Sequence, residues 1–212
     1  VYKIEEEGLI NILGEKFVEN HKDKDEMELL LNGEKIELVS KYKCNKGISN
    51  VEIIIKNYQI TDLEYMFYEC SSLVNIEDLK LLDVQEESNF EYMFSGCSSL
   101  SDIKSLENWN VSEGNNFEGM FNGCSSLSDI KSLENWNVSK GINFESMFRR
   151  CTSLSNIDVL EKWNVSKGKN FESMFYKCSS LKDIKALKNW DVSNGNNFKS
   201  MFSGCSSLSD IT

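Results

Sequence analysis

The residues of this chain that could do chemistry are its cysteines, its lone histidine, its tryptophans and three Asn-Val-Ser tripeptides. Cys70, Cys97, Cys124, Cys151, Cys178 and Cys205 stand 27 residues apart, with Cys44 outside the series. A structural zinc site needs thiolates clustered as CxxC or joined by histidines. Single cysteines at this spacing, with His21 as the one imidazole, supply neither, so no metal or other cofactor is expected. Side chains stacked in a ladder point the same way and keep their Cβ atoms about as far apart as their Cα atoms, beyond the ~3.8 Å that a disulfide prefers. The expectation is therefore buried, reduced core thiols in the ladder, with Cys44 the thiol to watch for surface reactivity.

Catalysis finds little to use. His21 lies in "ENHKDKDEM", a charged stretch expected to be a solvated loop, with no nucleophile at a suggestive spacing. No phosphate-cradling loop or carboxylate pair stands apart, and serine pairs such as Ser98-Ser99 and Ser125-Ser126 follow the period, which marks them as hydrogen-bonding ladders. The chain is not expected to be an enzyme. Asn110, Asn137 and Asn164 open sequons, but Asp191 fills the same place in the next copy, so a short polar side chain tying down a turn is the expected role. Trp109, Trp136, Trp163 and Trp190 fall on an every-third apolar register with Leu and Ile, which predicts core packing rather than an exposed recognition platform.

The elements that position these residues are repeats. "CSSLSDIKSLENWNVS" occurs unchanged at residues 97–112 and 124–139, and near-copies continue through the chain. Phe117, Met120, Phe121 and Cys124 fall at i, i+3, i+4 and i+7, which predicts one face of a short helix with Asn116 as N-cap. The half around Ile130 predicts a short parallel strand, and Gly114, Gly141, Gly168 and Gly195 provide turns back to the next helix, where a positive φ is open to them. Units this small bury their apolar faces only by stacking. The fold class expected is α/β: a leucine-rich-repeat solenoid, one short parallel strand plus one short helix per 27-residue repeat, with a β-rich N-terminal cap. The cap is assigned to residues 1–61, including a hairpin around Asn32-Gly33 and a strand in residues 50–58, and the solenoid to 62–212. At the C-terminal end Leu208 and Ile211 would face solvent, so that further repeats or a second molecule would cover them.

Met-Phe before Cys, then "CSSL", then Trp followed by Asn or Asp, a small aliphatic residue and Ser, resembles the bacterial surface-protein repeat of about 25 residues in BspA-like leucine-rich-repeat proteins. The resemblance implies adhesion or protein–protein interaction at a cell surface or after secretion. The N-terminal "VYKIEEEGLI" shows neither the basic nor the apolar region of a signal peptide, and the cysteine pattern is compatible with cytoplasm. No apolar run reaches the ~18 residues of a membrane span, so no membrane insertion is expected. The net charge of −11 disfavours nucleic acid and anionic membranes. It is distributed as −6 over residues 1–69, −7 over 70–150 and +2 over 151–212.

The function expected is a noncatalytic module presenting a rigid surface to a protein partner; the alternative is a structural scaffold assembling end to end, as a homo-oligomer, through an uncapped C-terminal repeat. Binding residues should be the ones the fold leaves free. Those are Asp102, Lys104, Asp129, Lys131, Asp183 and Lys185 beside the expected strand, together with Arg149, Arg150 and Asp158, where the fourth copy departs from its sisters.

Overall fold

The structure, a computed structural model, describes residues 2–4, 8–22, 27–44, 47–49, 51–55, 62–84 and 89–209. Residues 50 and 56–58 of the expected strand and Ile211 lie outside them. The N-terminal region is built from antiparallel pairs. Strand β1 (Tyr2–Ile4) pairs with β6 (Gly47–Ser49), and β2 (Gly8–Asn11) pairs with β5 (Lys41–Cys44). Strands β3 (Met27–Leu31), β4 (Glu34–Ile36) and β7 (Val51–Ile55) form a sheet in the order β4-β3-β7. Asn32 and Gly33 both take positive φ, 51° and 85°, which lets the β3–β4 hairpin close in two residues as expected. Between β2 and β3 lies α1 (Glu15–His21), whose Phe17 and Val18 turn inward to the core. His21 is not in a solvated loop: it is buried at the end of α1, stacked on Phe17 at 4.3 Å, its Nδ1 donating to the Phe17 carbonyl at 2.8 Å. Cys44 is 3% exposed, so the surface reactivity expected of it is withdrawn as well.

From Asp62 onward the chain coils into rungs, one per 27-residue unit. The expected helix is a run of overlapping turns instead. Met120, Asn122 and Cys124 donate to the carbonyls of Phe117, Gly119 and Phe121, three residues back in each case. Alternate residues use their amides along the stack: the N–H groups of Phe117, Gly119, Phe121 and Gly123 donate to the carbonyls of Asn143, Glu145, Met147 and Arg149 at 2.7–2.9 Å. A helix would have kept these bonds within itself. The turns need left-handed residues, and Gly119 (φ 57°) and Gly123 (φ 77°) take that conformation easily, whereas Ser146, Arg150, Ser173 and Lys177 are held there at a cost of about 1–2 kcal/mol each.

No strand forms around Ile130. Short 3-10 turns occupy that half of each unit, at Lys104–Leu106, Lys131–Leu133, Asp158–Lys162 and Lys185–Leu187. Parallel pairing is confined to isolated bridges such as Asn116↔Asn143 and Asn143↔Asn170, so the described residues contain no continuous parallel sheet. The turn-chain correction extends to Gly114, Gly141, Gly168 and Gly195, none of which has positive φ. Space is the reason for these glycines: a Cβ on Gly141 would lie 2.4 Å from Cζ of Phe144.

Inward-facing residues form ladders. Phe90, Phe117, Phe144, Phe171 and Phe198 stack at 5.3–5.6 Å between centroids, and Phe67, Phe94, Phe121, Phe148, Phe175 and Phe202 form a second file at 5.6–5.7 Å. Burying each fully enclosed ring, from Phe90 to Phe175, stabilises the stack by about 2–3 kcal/mol. Trp109, Trp136 and Trp163 are buried as expected, each donating its Nε1 to the carbonyl of Leu79, Leu106 or Leu133 at 2.9 Å. The seven cysteines are free and buried. Cys97, Cys124, Cys151, Cys178 and Cys205 each direct Sγ at a phenylalanine carbonyl of the preceding rung, 3.0–3.2 Å away. Burial pushes the Cys178 thiol up to about 12, which keeps it protonated and inert at neutral pH. The apolar cluster runs without a break from Ile12, Leu13 and Phe17 into Leu63, Met66 and the rungs beyond. No helix among the described residues is long and apolar enough to cross a membrane.

Candidate functional site

The exposed candidates begin with the aspartates expected beside a strand. Each opens a 3-10 turn instead: Asp102, Asp129 and Asp183 accept the N–H groups of Lys104, Lys131 and Lys185 at 2.8, 2.7 and 3.2 Å. Asn156 does the same for Asp158 at 2.8 Å. This local bond explains why only Asp and Asn occupy the position, since either side chain can fold back on the backbone two residues on. The carboxylates of Asp102, Asp129 and Asp183 remain in a row that Asn156 interrupts, with the lysines beside them. Asp183 is half-buried; Asp102, Asp129, Lys104, Lys131 and Lys185 are exposed.

Arg149 and Arg150 sit at the end of a turn run. Arg149 lays its guanidinium 5.1 Å from the Tyr176 ring centroid, while Arg150 is exposed with φ 59°. Asp158 is exposed at the start of the neighbouring 3-10 turn and receives a hydrogen bond from Asn156 Nδ2 at 2.7 Å. Neither arginine pairs with Asp158, so the structure does not bring these residues together as one charged site.

The sequons follow the same turn logic. Asn110 Oδ1 accepts both the N–H and the hydroxyl of Ser112, at 3.2 and 2.7 Å, and Asp191 accepts the N–H of Ser193 at 3.0 Å. Ser98, Ser125, Thr152, Ser179 and Ser206 donate hydroxyls to the preceding rung at 3.3–3.4 Å, which is the serine ladder expected.

A polar ladder that sequence reasoning did not single out runs along the turn chain. Asn116, Asn143, Asn170 and Asn197 donate Nδ2 to Glu91, Glu118, Glu145 and Glu172 of the previous rung at 2.7–2.9 Å. Burial first, then the neighbouring Glu64 and Glu118 carboxylates, raise the pKa of Glu91. Glu172 goes the other way, lowered by its hydrogen bond from Asn197 and by Lys199 at 3.4 Å. Tyr92 donates its hydroxyl to Glu118 at 2.6 Å, and burial together with that bond raises the tyrosine pKa. The row is thus held by neutral donors along its length and by lysines at its ends, Lys16 on Glu64 and Lys199 on Glu172.

Where α1 meets the first rung, the surface opens into a cleft of about 410 Å³. Tyr65 and Tyr68 form its aromatic wall and Glu15, Glu19 and Glu69 its acidic rim. Tyr65 is stacked on Tyr92 at 5.2 Å and carries the Lys16 ammonium 4.3 Å from its centroid. Lys16 is ion-paired with Glu64, and that bond raises its pKa. The cleft was missed because its residues are scattered from Asn11 to Glu69; the available signal was Tyr65 and Tyr92, standing where later copies have Gly119, Ser146, Ser173 and Ser200.

The family model described as "Mycoplasma protein of unknown function, DUF285" matches residues 39–153 and again residues 101–212. No curated protein and no solved structure matches the chain.

Proposed function

We propose that this chain, which belongs to the family described as Mycoplasma protein of unknown function, DUF285, is a noncatalytic protein-binding or adhesion module that presents a rigid face of stacked rungs. One observation carries the reading: Asp and Lys pairs stand at the same place on three of the rungs, 102/104, 129/131 and 183/185, with each aspartate locked by its own turn bond, so charge is displayed at set positions on a backbone ladder. Preorganised charge of this kind favours recognition because little side-chain freedom is lost on binding. The groups with reactive potential are meanwhile spent on the fold, since the thiols, His21 and the serine pairs are buried or hydrogen-bonded. The repeat's resemblance to BspA-like leucine-rich-repeat surface proteins supports the same reading, and with it a surface or secreted setting.

The test uses biolayer interferometry against purified cell-surface and extracellular-matrix proteins. Asn at position 156 shows that the turn survives without the charge, so Asp102→Asn, Asp129→Asn and Asp183→Asn together should keep the melting temperature. They should weaken a saturable interaction by about tenfold at low salt, with the loss shrinking at high salt. Absence of saturable binding to every protein tried, or full affinity in the triple variant, would defeat the reading.

End-to-end scaffolding is the second reading, and the backbone polarity weighs against it. At one end the carbonyl of Met66 is already taken by Gly14, and at the other the turn run leaves the amides of Phe198, Ser200, Phe202 and Gly204 without a backbone partner among the described residues, so along that run two such ends would oppose donors to donors. A mass in solution that rises with concentration would favour it.

A further inference from the structure

We propose that the cleft between α1 and the first rung is a binding site for a basic peptide segment of a protein partner, taking a lysine or arginine side chain against the tyrosine wall. The proposal rests on the protein-binding reading above and gives it a location. Glu15 and Glu19 lie four residues apart in α1, both exposed at the cleft rim, and neither carboxylate has a hydrogen bond or ion pair among the described residues. Glu69 adds a third carboxylate on the opposite side, from the first rung. Of the two lysines at the cleft, Lys16 is neutralised by Glu64, which leaves Lys41 as the one opposing charge and a net negative rim. The molecule itself shows that the wall accepts a cation, because the Lys16 ammonium rests over the Tyr65 ring. Tyr68, beside it, is fixed by ring contacts to Tyr65 at 5.3 Å and Tyr92 at 6.2 Å, so the surface is rigid before any ligand arrives.

The volume suits one or two long side chains with part of their backbone, and is too small for a docked helix. The surrounding region carries −6 over residues 1–69, which draws a basic segment toward the cleft and repels an acidic one. This site also lies where the repeat gives way to the N-terminal elements, at positions free of the demand that every rung match its neighbour.

The test is fluorescence anisotropy at physiological salt with a labelled peptide of alternating arginine and serine. A glutamate–serine peptide of equal length and a neutral oligosaccharide serve as competitors. The parent chain should bind the basic peptide, and neither competitor should displace it. Glu15→Gln with Glu19→Gln should weaken binding by about tenfold or more, and Tyr68→Ala should do the same. Glu34→Gln with Glu37→Gln removes equal charge from the same region outside the cleft, and should change affinity by less than about threefold. Equal losses in the two charge pairs would mean that net charge alone attracts the peptide, and would overturn the site. Failure of the parent to bind, or displacement by the oligosaccharide, would overturn it equally. The aspartate triple variant should leave this titration unchanged, so loss of the array-face reading and loss of the cleft are told apart.

Discussion

The two ends of the rung stack are chemically opposite. Toward the N-terminus, where carbonyls point outward, Gly14 donates its N–H to Met66 O at 2.9 Å and Asn11 Nδ2 reaches Glu69 O at 3.1 Å. Toward the C-terminus the equivalent amides of Phe198, Ser200, Phe202 and Gly204 have no backbone partner among the described residues, and Phe198 is 41% exposed. Among the described residues, the first rung is therefore closed by donors from the N-terminal elements, whereas the turn-run amides of the last one have no such closure. The difference teaches that the turn run has a direction: along it each rung supplies backbone donors forward and acceptors backward, while Ser99, Ser126 and Ser153 donate their amides the other way, and the N-terminal elements close the run by offering a donor. Stability should be graded along it accordingly.

The largest test of that grading is a charge placed in the interior. Met66→Asp and Met147→Asp, at positions 1% and 0% exposed, should each cost about 4 kcal/mol or prevent folding, since they strand a carboxylate in the core. Met201→Asp at the open end should cost about half as much, because water already reaches that rung. Urea unfolding would read the series; equal losses at all three positions would break the comparison.

Gly14→Ala strikes the sealed end. Its Cβ would fall 1.8 Å from the Tyr65 carbonyl oxygen, so the bond to Met66 cannot survive without moving α1 from the rung. A loss of about 2–3 kcal/mol is expected, with faster amide exchange in β2, β5 and the first rung and unchanged exchange beyond Phe144. Uniformly faster exchange would show that the end closure stabilises the whole stack cooperatively.

A smaller effect, of opposite sign, should come from the turn chain. Lys177 holds φ 58° where Gly123 and Gly204 hold 77° and 80°, so Lys177→Gly should raise stability by about 0.5–1 kcal/mol. A loss would mean that the lysine side chain contributes more than the left-handed backbone costs.

The least effect concerns pH. Glu91 near the sealed end has a raised pKa, so the folded state takes up its proton more readily than the unfolded chain. Its contribution grows as pH falls into the window between the unfolded and folded values and is lost as pH rises through the folded value. Glu172 near the open end has a lowered pKa, so its contribution is present above the unfolded value and lost as pH falls through the folded one. Carboxyl carbon NMR should therefore show Glu91 titrating at higher pH than Glu172; coincident midpoints would erase this distinction between the ends.

Much of the interior was legible in the sequence because packing repeats wherever composition repeats. Phe117, Met120, Phe121 and Cys124 were assigned inward correctly, and so were Trp136, Leu127 and Ile130. The backbone that carries them was not. Overlapping turns advance the chain so that i, i+3, i+4 and i+7 share a face, the same spacing a helix produces, and periodicity alone cannot separate the two. Gly119 and Gly123 held a discriminating signal: within one helical turn pair they would each weaken a helix by about 1 kcal/mol, whereas two left-handed positions four residues apart favour them. The acidic cleft lay beyond such reading, since Glu15, Glu19 and Tyr68 meet only after the N-terminal elements dock on the first rung.

The constant separation of the inter-rung bonds also bears on inheritance. If residues 124–150 were lost in one piece, Cys151 would follow Gly123 and meet the Phe94 carbonyl that Cys124 now uses. Trp163 would likewise meet Leu106 in place of Leu133. No partner would be orphaned. The stretches at 97–112 and 124–139 are identical in protein sequence, and the product of an exchange between their coding segments would fold by the parental rules. Copy number can thus vary between lineages as a neutral trait, changing the reach of the molecule while its chemistry stays the same.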